Sequence, residues 1–407
     1  MSTAKPAAEF LAHQPPASSL ANAFSRRGAR LIGQEMFKVL DKARTLERDG
    51  IYIYHLELGN PRMPPPKEML DATLAALQER HVGYTSSAGL PALREAVADR
   101  YAQRTGRTVS ADNIVISPAN LLISQFLDLT CDFGDRVVLF TPAFPTYLAA
   151  TAHMGLEVVD IPLDVDAGFD LTETHVEAAM AARPKAIIVN SANNPTGVVY
   201  SASVLELLAR RCEEDGVWLL SDETYAELCY GRPFASLGAL PMSRVVTMSS
   251  FSKIFSVPGF RTGYAIAHPT VADKLALSNS TLISCLPAFT QLGCVAGLQV
   301  IDRYVAGVSA HFAQAARACT VRLNQSGLLR CPIPQSGFYI FVDIQATGLD
   351  DMAFSKRLLE EQHTAVTPGR SFGSAYQNFI RIAVCGKYED VQQGVDRVVK
   401  LVRELVR

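Results

Sequence analysis

Seven short apolar runs, alternating with longer amphipathic stretches, constrain this chain more than any other feature. They are Asn113–Ile116, Arg136–Phe140, Leu156–Ile161, Ala186–Val189, Val217–Leu220, Val245–Met248 and Thr262–Ile266. A strand with one wet face alternates apolar and polar residues. Several of these runs are apolar at nearly every position, so they read as strands covered on both faces. Strands separated by helical stretches imply βαβ units and a mostly parallel sheet. The fold class expected is α/β, with a seven-stranded sheet flanked by helices. Such sheets bind ligands beyond the carboxyl ends of their strands. The residues just after each run are therefore the places to look for chemistry.

The chain has 407 residues, more than one hydrophobic core supports. Residues 1–28, rich in Ala, Ser and Pro, read as a flexible arm. Residues 29–60 read as a segment packing with a small domain. They hold a helix near Ile32–Asp49 and a strand at Ile51–Leu56, stopped by Gly59-Asn60-Pro61. Residues 61–302 form the expected large domain and 303–407 a smaller α+β one. The two are joined through a long helical stretch, Pro287 to about Arg322. The small domain shows strands at Gly337–Val342 and Phe379–Val384, a helix near Asp350–Gln362 and a closing helix from Glu389.

Composition narrows the function. Apolar residues make up 48%, and the formal net charge is -2 with no basic run, so nucleic acid and anionic membrane surfaces are not expected partners. The eight cysteines are scattered without a C-x-x-C pair and read as reduced thiols, not a disulfide framework or a zinc site. No secretory h-region or membrane-spanning run is evident, so a cytoplasmic enzyme is expected. Asn279-Ser280-Thr281 matches a glycosylation acceptor, a pattern that chance often produces and that this compartment would not use.

Three segments carry chemistry. Ser249-Ser250-Phe251-Ser252-Lys253 follows a buried run and leads to Arg261, eight residues past the lysine. A lysine there can form an imine with an aldehyde, and the hydroxyls and Arg261 can bind a phosphate, for which a planar guanidinium is well shaped. A solvated Ser/Lys turn is the alternative. Asn193-Asn194-Pro195-Thr196-Gly197 follows Ala186–Val189 and by itself is only a turn. Asp222, in Ser221-Asp222-Glu223-Thr224-Tyr225, ends a buried run, where a carboxylate needs a cationic or hydrogen-bonded partner. A pyridinium nitrogen would be one; a helix N-cap role is the other reading.

Taken in order, N-N-P-T-G, S-D-E-x-Y and S-x-S-K with its later arginine resemble the class I/II aminotransferases. These are fold-type I enzymes dependent on pyridoxal 5'-phosphate (PLP), and the resemblance runs from about Leu56 to the C-terminus. It implies that Lys253 bonds the cofactor aldehyde and shuttles a proton during turnover. Asp222 would partner the pyridine nitrogen, and Asn194 and Tyr225 the phenolic oxygen. Ser250, Ser252 and Arg261 would hold the phosphate. Phe144, in Pro142-Ala143-Phe144-Pro145-Thr146-Tyr147, would stack on the ring. Tyr84, in a G-Y…G-x-x-x-L-R segment, would reach the phosphate of a neighbouring subunit, which implies a homodimer with shared sites. Arg381 would clamp the substrate α-carboxylate, with a surface strand arginine as the alternative, and Gly59 belongs to the loop that closes over the substrate. Transfer of an amino group between an L-amino acid and a 2-oxo acid is the implied reaction. Relatives on the same fold catalyse elimination, cyclisation, oxidation or decarboxylation, and a few chains of this fold sense ligands.

Two departures stand out. Ser117-Pro118-Ala119-Asn120 replaces the family's phosphate turn without its glycine, leaving the N–H groups of Ala119 and Asn120 as candidate donors. Arg62 stands where an acidic residue is usual, either to read an acidic substrate or to lie on the surface. The apolar stretch Ser284–Phe289, aligned with a side-chain-reading region, points to an apolar or aromatic substrate.

Overall fold

The computed structural model describes residues 23–406. Its strands are β1 Tyr54–His55, β2 Ile114–Ser117, β3 Arg136–Thr141, β4 Glu157–Pro162, β5 Ala186–Asn190 and β6 Trp218–Asp222. They continue with β7 Val245–Ser250, β8 Gly263–Ile266, β9 Tyr339–Asp343, β10 Thr364–Ala365, β11 Thr367–Pro368 and β12 Phe379–Ala383.

Each of the seven apolar runs supplies one strand of a single sheet, in the order β2-β8-β7-β6-β5-β3-β4. β8 runs antiparallel to both its neighbours, and the remaining pairs are parallel. The reason for the continuous apolar character is visible. Val138, Phe140, Ile187, Val189 and Leu219 enter one buried cluster, while Val137, Leu139, Ile188, Leu220 and Val246 enter another on the opposite face. The edge strand β4 is different: only Ile161 is fully buried.

The C-terminal region builds a three-stranded antiparallel sheet, β11-β12-β9. Its core gathers Phe312, Phe338, Ile340, Phe354 and Ile382 with Val391, Val395, Val398 and Val402 of the closing helix Tyr388–Leu405. Those valines recur at helical spacing and form the buried stripe. Leu56 joins the same core, so the N-terminal segment is attached to this sheet.

Two details differ from the sequence reading. The strand expected at Ile51–Leu56 shrinks to β1, because the Ile51 N–H bonds Leu46 O at the end of the helix Glu35–Arg48 and the partner β10 is equally short. The long helix expected from Pro287 is two, Ala288–Gln299 and Ile301–Asn324, broken at Val300 (φ -117°, ψ 11°). The first lies against the helix Lys67–Gln78, where Gly293 meets Thr73; the second supplies Phe312, Ala315 and Ala316 to the C-terminal core. The chain turns at Val300 to reach both. The arm expected at 1–28 lies mostly outside the described residues. Among the described residues no helix is long and apolar enough to cross a membrane, and the eight cysteines are free thiols.

Gly263 opens β8 where three backbones converge. A Cβ there would stand 2.6 Å from Ser249 O, 3.1 Å from Ser117 O and 3.3 Å from Ala119 N. Gly263→Ala is expected to lower unfolding stability by about 1–3 kcal/mol. Gly259→Ala, whose Cβ would meet nothing within 4 Å, should be close to neutral. Denaturant titration of both variants checks this; equal effects at the two positions would remove the packing argument.

Candidate active site

A cavity of about 500 Å³ opens at the carboxyl ends of the parallel strands. Ala119 and Asn120 reach it from the turn after β2, Phe144 from after β3, and Asn194 from after β5. Asp222 and Tyr225 come from the end of β6, and Ser250, Ser252 and Lys253 from the end of β7. Arg261 precedes β8. Gly59 and Arg381 enter from the smaller sheet's side, so the cavity lies where the two sheets meet. Tyr84 is the exception among the expected site residues: it is 92% exposed and lies outside this cavity.

Asp222 is buried. Its carboxylate accepts from Tyr147 Oη at 2.6 Å and from the Thr224 N–H at 3.0 Å. Burial raises its pKa, opposed by those two donors. It does not cap a helix; the next helical turn, Ala226–Leu228, begins after Tyr225. Among the described residues no cation pairs with it within the salt-bridge range.

Arg381 is the opposite case. It is 1% exposed, stacked between the rings of Tyr339 (4.4 Å) and Phe372 (5.0 Å). The guanidinium donates to Glu57 O, to Thr367 Oγ1 at 3.2 Å and to Asn194 Oδ1 at 3.1 Å. Its Nε has no partner, and no carboxylate pairs with it among the described residues. Because a guanidinium only donates, the Asn194 oxygen must face it, which turns the amide nitrogen away from Arg381. The Asn194 backbone is fixed by Asn190 Oδ1, and Asn190 Nδ2 in turn donates to Asp222 O.

Lys253 sits in the short helix Phe251–Ile254 and donates to Gly59 O at 2.6 Å. Burial, opposed by the Cys385 thiol and helped by Arg381 and Arg261, brings its ammonium down from 10.5 to about 8. Ser250 caps that helix, its Oγ accepting from the Ser252 N–H at 3.2 Å. Arg261 adopts a left-handed conformation (φ 55°) and donates to Pro258 O at 2.8 Å. At the start of the helix Ala119–Thr130, Leu121 N–H makes the first turn's bond to Pro118 O, so the Ala119 and Asn120 N–H groups precede the helical ladder.

A cavity with a lysine, an unpaired buried carboxylate and an unpaired buried guanidinium, over a helix start, suits a cationic ring carrying a phosphate and a substrate carboxylate. The comparisons with known proteins agree. Residues 53–398 match the family described as Aminotransferase class I and II. The chain belongs to that family. It is 29% identical to an aspartate aminotransferase of Thermotoga maritima, over 92% of this chain and 98% of that one. It is also 29% identical to an aromatic-amino-acid aminotransferase of Thermococcus litoralis, over 94% and 99%. The Thermus thermophilus aspartate aminotransferase with maleate superposes with a TM-score of 0.88 at 27% identity, covering 93% and 99%. This chain is thus a fold-type I, PLP-dependent aminotransferase acting on amino and oxo acids.

As an aminotransferase it has site features the sequence reading missed. Tyr339 lines the cavity, accepts from Tyr225 Oη at 3.1 Å and stacks on Arg381. Tyr147 anchors Asp222. Its signal was present, three residues past Phe144 on the first turn of the helix Pro145–Met154, where both side chains share a face. Tyr339 gave no such signal; in a strand it reads as one more aromatic. Gln34, Met36, Phe37 and Leu58 also line it. Arg62 is exposed and lines no part of the cavity. The stretch Ser284–Phe289 is also absent from the lining; Cys285 Sγ and Leu286 O instead bond Thr85.

The lowered Lys253 predicts a pH profile. In protein stripped of PLP, the rate of cofactor capture, followed as the growth of the cofactor–lysine absorbance, should climb as pH rises through about 8. The amine is the reactive form, and it gains population above the folded pKa. A midpoint near that of an exposed lysine would refute the burial effect.

Proposed function

We propose that this enzyme transfers the amino group of an uncharged, apolar or aromatic L-amino acid to a 2-oxo acid, as a homodimer, with the residues assigned as follows. Lys253 bonds the cofactor aldehyde. Asp222 holds the pyridine nitrogen protonated, an assignment supported by a buried carboxylate that lacks a cation among the described residues. Asn194 donates to the phenolic oxygen, and Tyr225 does so by turning its one hydroxyl proton from Tyr339 Oη. Ser250, Ser252, Arg261 and the N–H groups of Ala119 and Asn120 hold the phosphate, and Phe144 covers the ring. Bound PLP supplies the electron sink that lets the substrate Cα–H bond break.

Arg381 takes the substrate α-carboxylate. The single observation that carries the reading is its burial without an anion, held open by Tyr339, Phe372 and Glu57 O. Clamping the carboxylate beside Gly59 fixes Cα over Lys253. With PLP bound, the Lys253 amine would serve as the base that moves the substrate Cα proton. Its lowered pKa favours the free base needed for that step.

The side-chain preference rests on charge. The lining's cations are Lys253, Arg261 and Arg381, each with a role already assigned, and Met36, Phe37 and Leu58 line it beside the uncharged Gln34. The homodimer rests on Tyr84 and on the exposed Leu70, Leu74 and Leu77, which recur at helical spacing on Lys67–Gln78, with the exposed Val82 beyond it. Residues 61–302 act as the PLP-binding domain and 303–407, with 29–60, as the smaller one, supported by a core that draws most of its residues from 308–402 and includes Leu56.

The deciding experiment titrates PLP-loaded enzyme with single amino acids. Conversion of the cofactor to its aminated form by phenylalanine or leucine, reversed by a 2-oxo acid, is expected. Response to aspartate alone would overturn the preference. Lys253→Ala should abolish the lysine-linked absorbance and turnover, and Asp222→Ala should keep the fold yet lose activity by about a thousandfold or more. Near-normal turnover in the Asp222 variant would refute the pyridinium role.

A further inference from the structure

We propose that Asn279 is a positioning residue that joins the phosphate end of its own cavity to the Tyr84 loop, and so couples the two sites of a dimer; this rests on the role given above to Tyr84. Asn279 is the asparagine of the glycosylation-like pattern, and it is 0% exposed. It lies near the end of the helix Pro269–Leu282, and its side chain is saturated. Nδ2 donates to Ser87 O at 2.9 Å and to Ile116 O at 3.0 Å. Oδ1 accepts from Ser117 Oγ at 2.8 Å and from Gln125 Nε2 at 2.9 Å. One amide therefore holds the last residues of β2, the first helical turns after Ala119, and the loop three residues beyond Tyr84.

That loop is fastened on its other side as well. Gln291, also 0% exposed, accepts from the Leu90 N–H at 2.8 Å and donates to Leu286 O at 3.0 Å. Gly89 (φ 101°) seats it directly on Ile116; a Cβ there would fall 2.3 Å from Ile116 Cγ1. Buried amides thus hold the backbone that follows Tyr84, a side chain that is itself 92% exposed. Such bracing is excessive for a surface tyrosine with no further task. It suits one that must arrive at a fixed point outside its own chain, in register with the phosphate site behind it. The same network buttresses the turn Ser117-Pro118-Ala119-Asn120, which lacks the glycine expected there.

The test measures PLP retention by equilibrium dialysis in Asn279→Ala, Tyr84→Phe and the double variant, with thermal unfolding of each protein with and without PLP. Asn279→Ala removes all four bonds and is expected to weaken retention about tenfold, the equivalent of one or two neutral hydrogen bonds felt at the phosphate end. The double variant should be little worse than the weaker single one. A purely structural role would lower both unfolding temperatures equally and leave the PLP-induced shift unchanged, which would overturn the proposal. Additive penalties in the double variant would also overturn it. If Tyr84→Phe alone has no effect, the Tyr84 reading fails, and the coupling with it. If Tyr84→Phe weakens retention and Asn279→Ala does not, only the coupling fails. Should Asn279→Ala not fold, Ser117→Ala removes one of the bonds to the amide and is expected to show the same non-additivity with Tyr84→Phe at a smaller factor.

Discussion

Two unpaired buried charges organise this molecule. Asp222 and Arg381 line one cavity, each stripped of most of its water and each without an ion partner among the described residues. A buried charge left alone is costly unless hydrogen bonds hold it. The surroundings are built to do that holding. Tyr147 and Thr224 support the carboxylate, while two aromatic faces, a carbonyl and Asn194 support the guanidinium. Neither set neutralises its charge. The protein thereby keeps affinity in reserve for ligands that complete the pairs, and the fold's remaining stability bears the cost.

Much of this was legible in the sequence. Burial on both faces leaves a plain mark, and all seven runs became strands of one sheet. Residues at strand ends were legible for the same reason, since topology sends them to one place. What was hidden depends on three-dimensional neighbours. Tyr339 and Glu57 matter through what they touch, the first through its ring on Arg381 and the second through a backbone carbonyl that any residue would supply. The break at Val300 was hidden because an apolar helical pattern records burial, not direction. The missing glycine of the phosphate turn has a counterpart in Gly263, far along the chain, and only the paired strands show that the close approach is made there.

The substrate end of the cavity draws on both halves of the sequence. Arg381 from β12 donates to Glu57 O from the segment after β1, and Lys253 donates to Gly59 O two residues further on. That short N-terminal stretch touches both groups that would grip a substrate. Its attachment to the C-terminal core through Leu56 ties substrate binding to the packing of the smaller sheet.

The place of β8 bears on how the chain can assemble. Ile114 of β2 pairs with Ile266, and β8 stands between β2 and β7. During synthesis β2 emerges early yet has no neighbour until β8 leaves the ribosome, long after β3 to β7 are available to pair among themselves. The sheet therefore cannot grow strand by strand from the N-terminus. An apolar strand with open edges must wait, a situation that favours slow folding and invites aggregation or chaperone capture. The phosphate end of the site, built on the turn after β2, takes shape only when that late strand closes the gap.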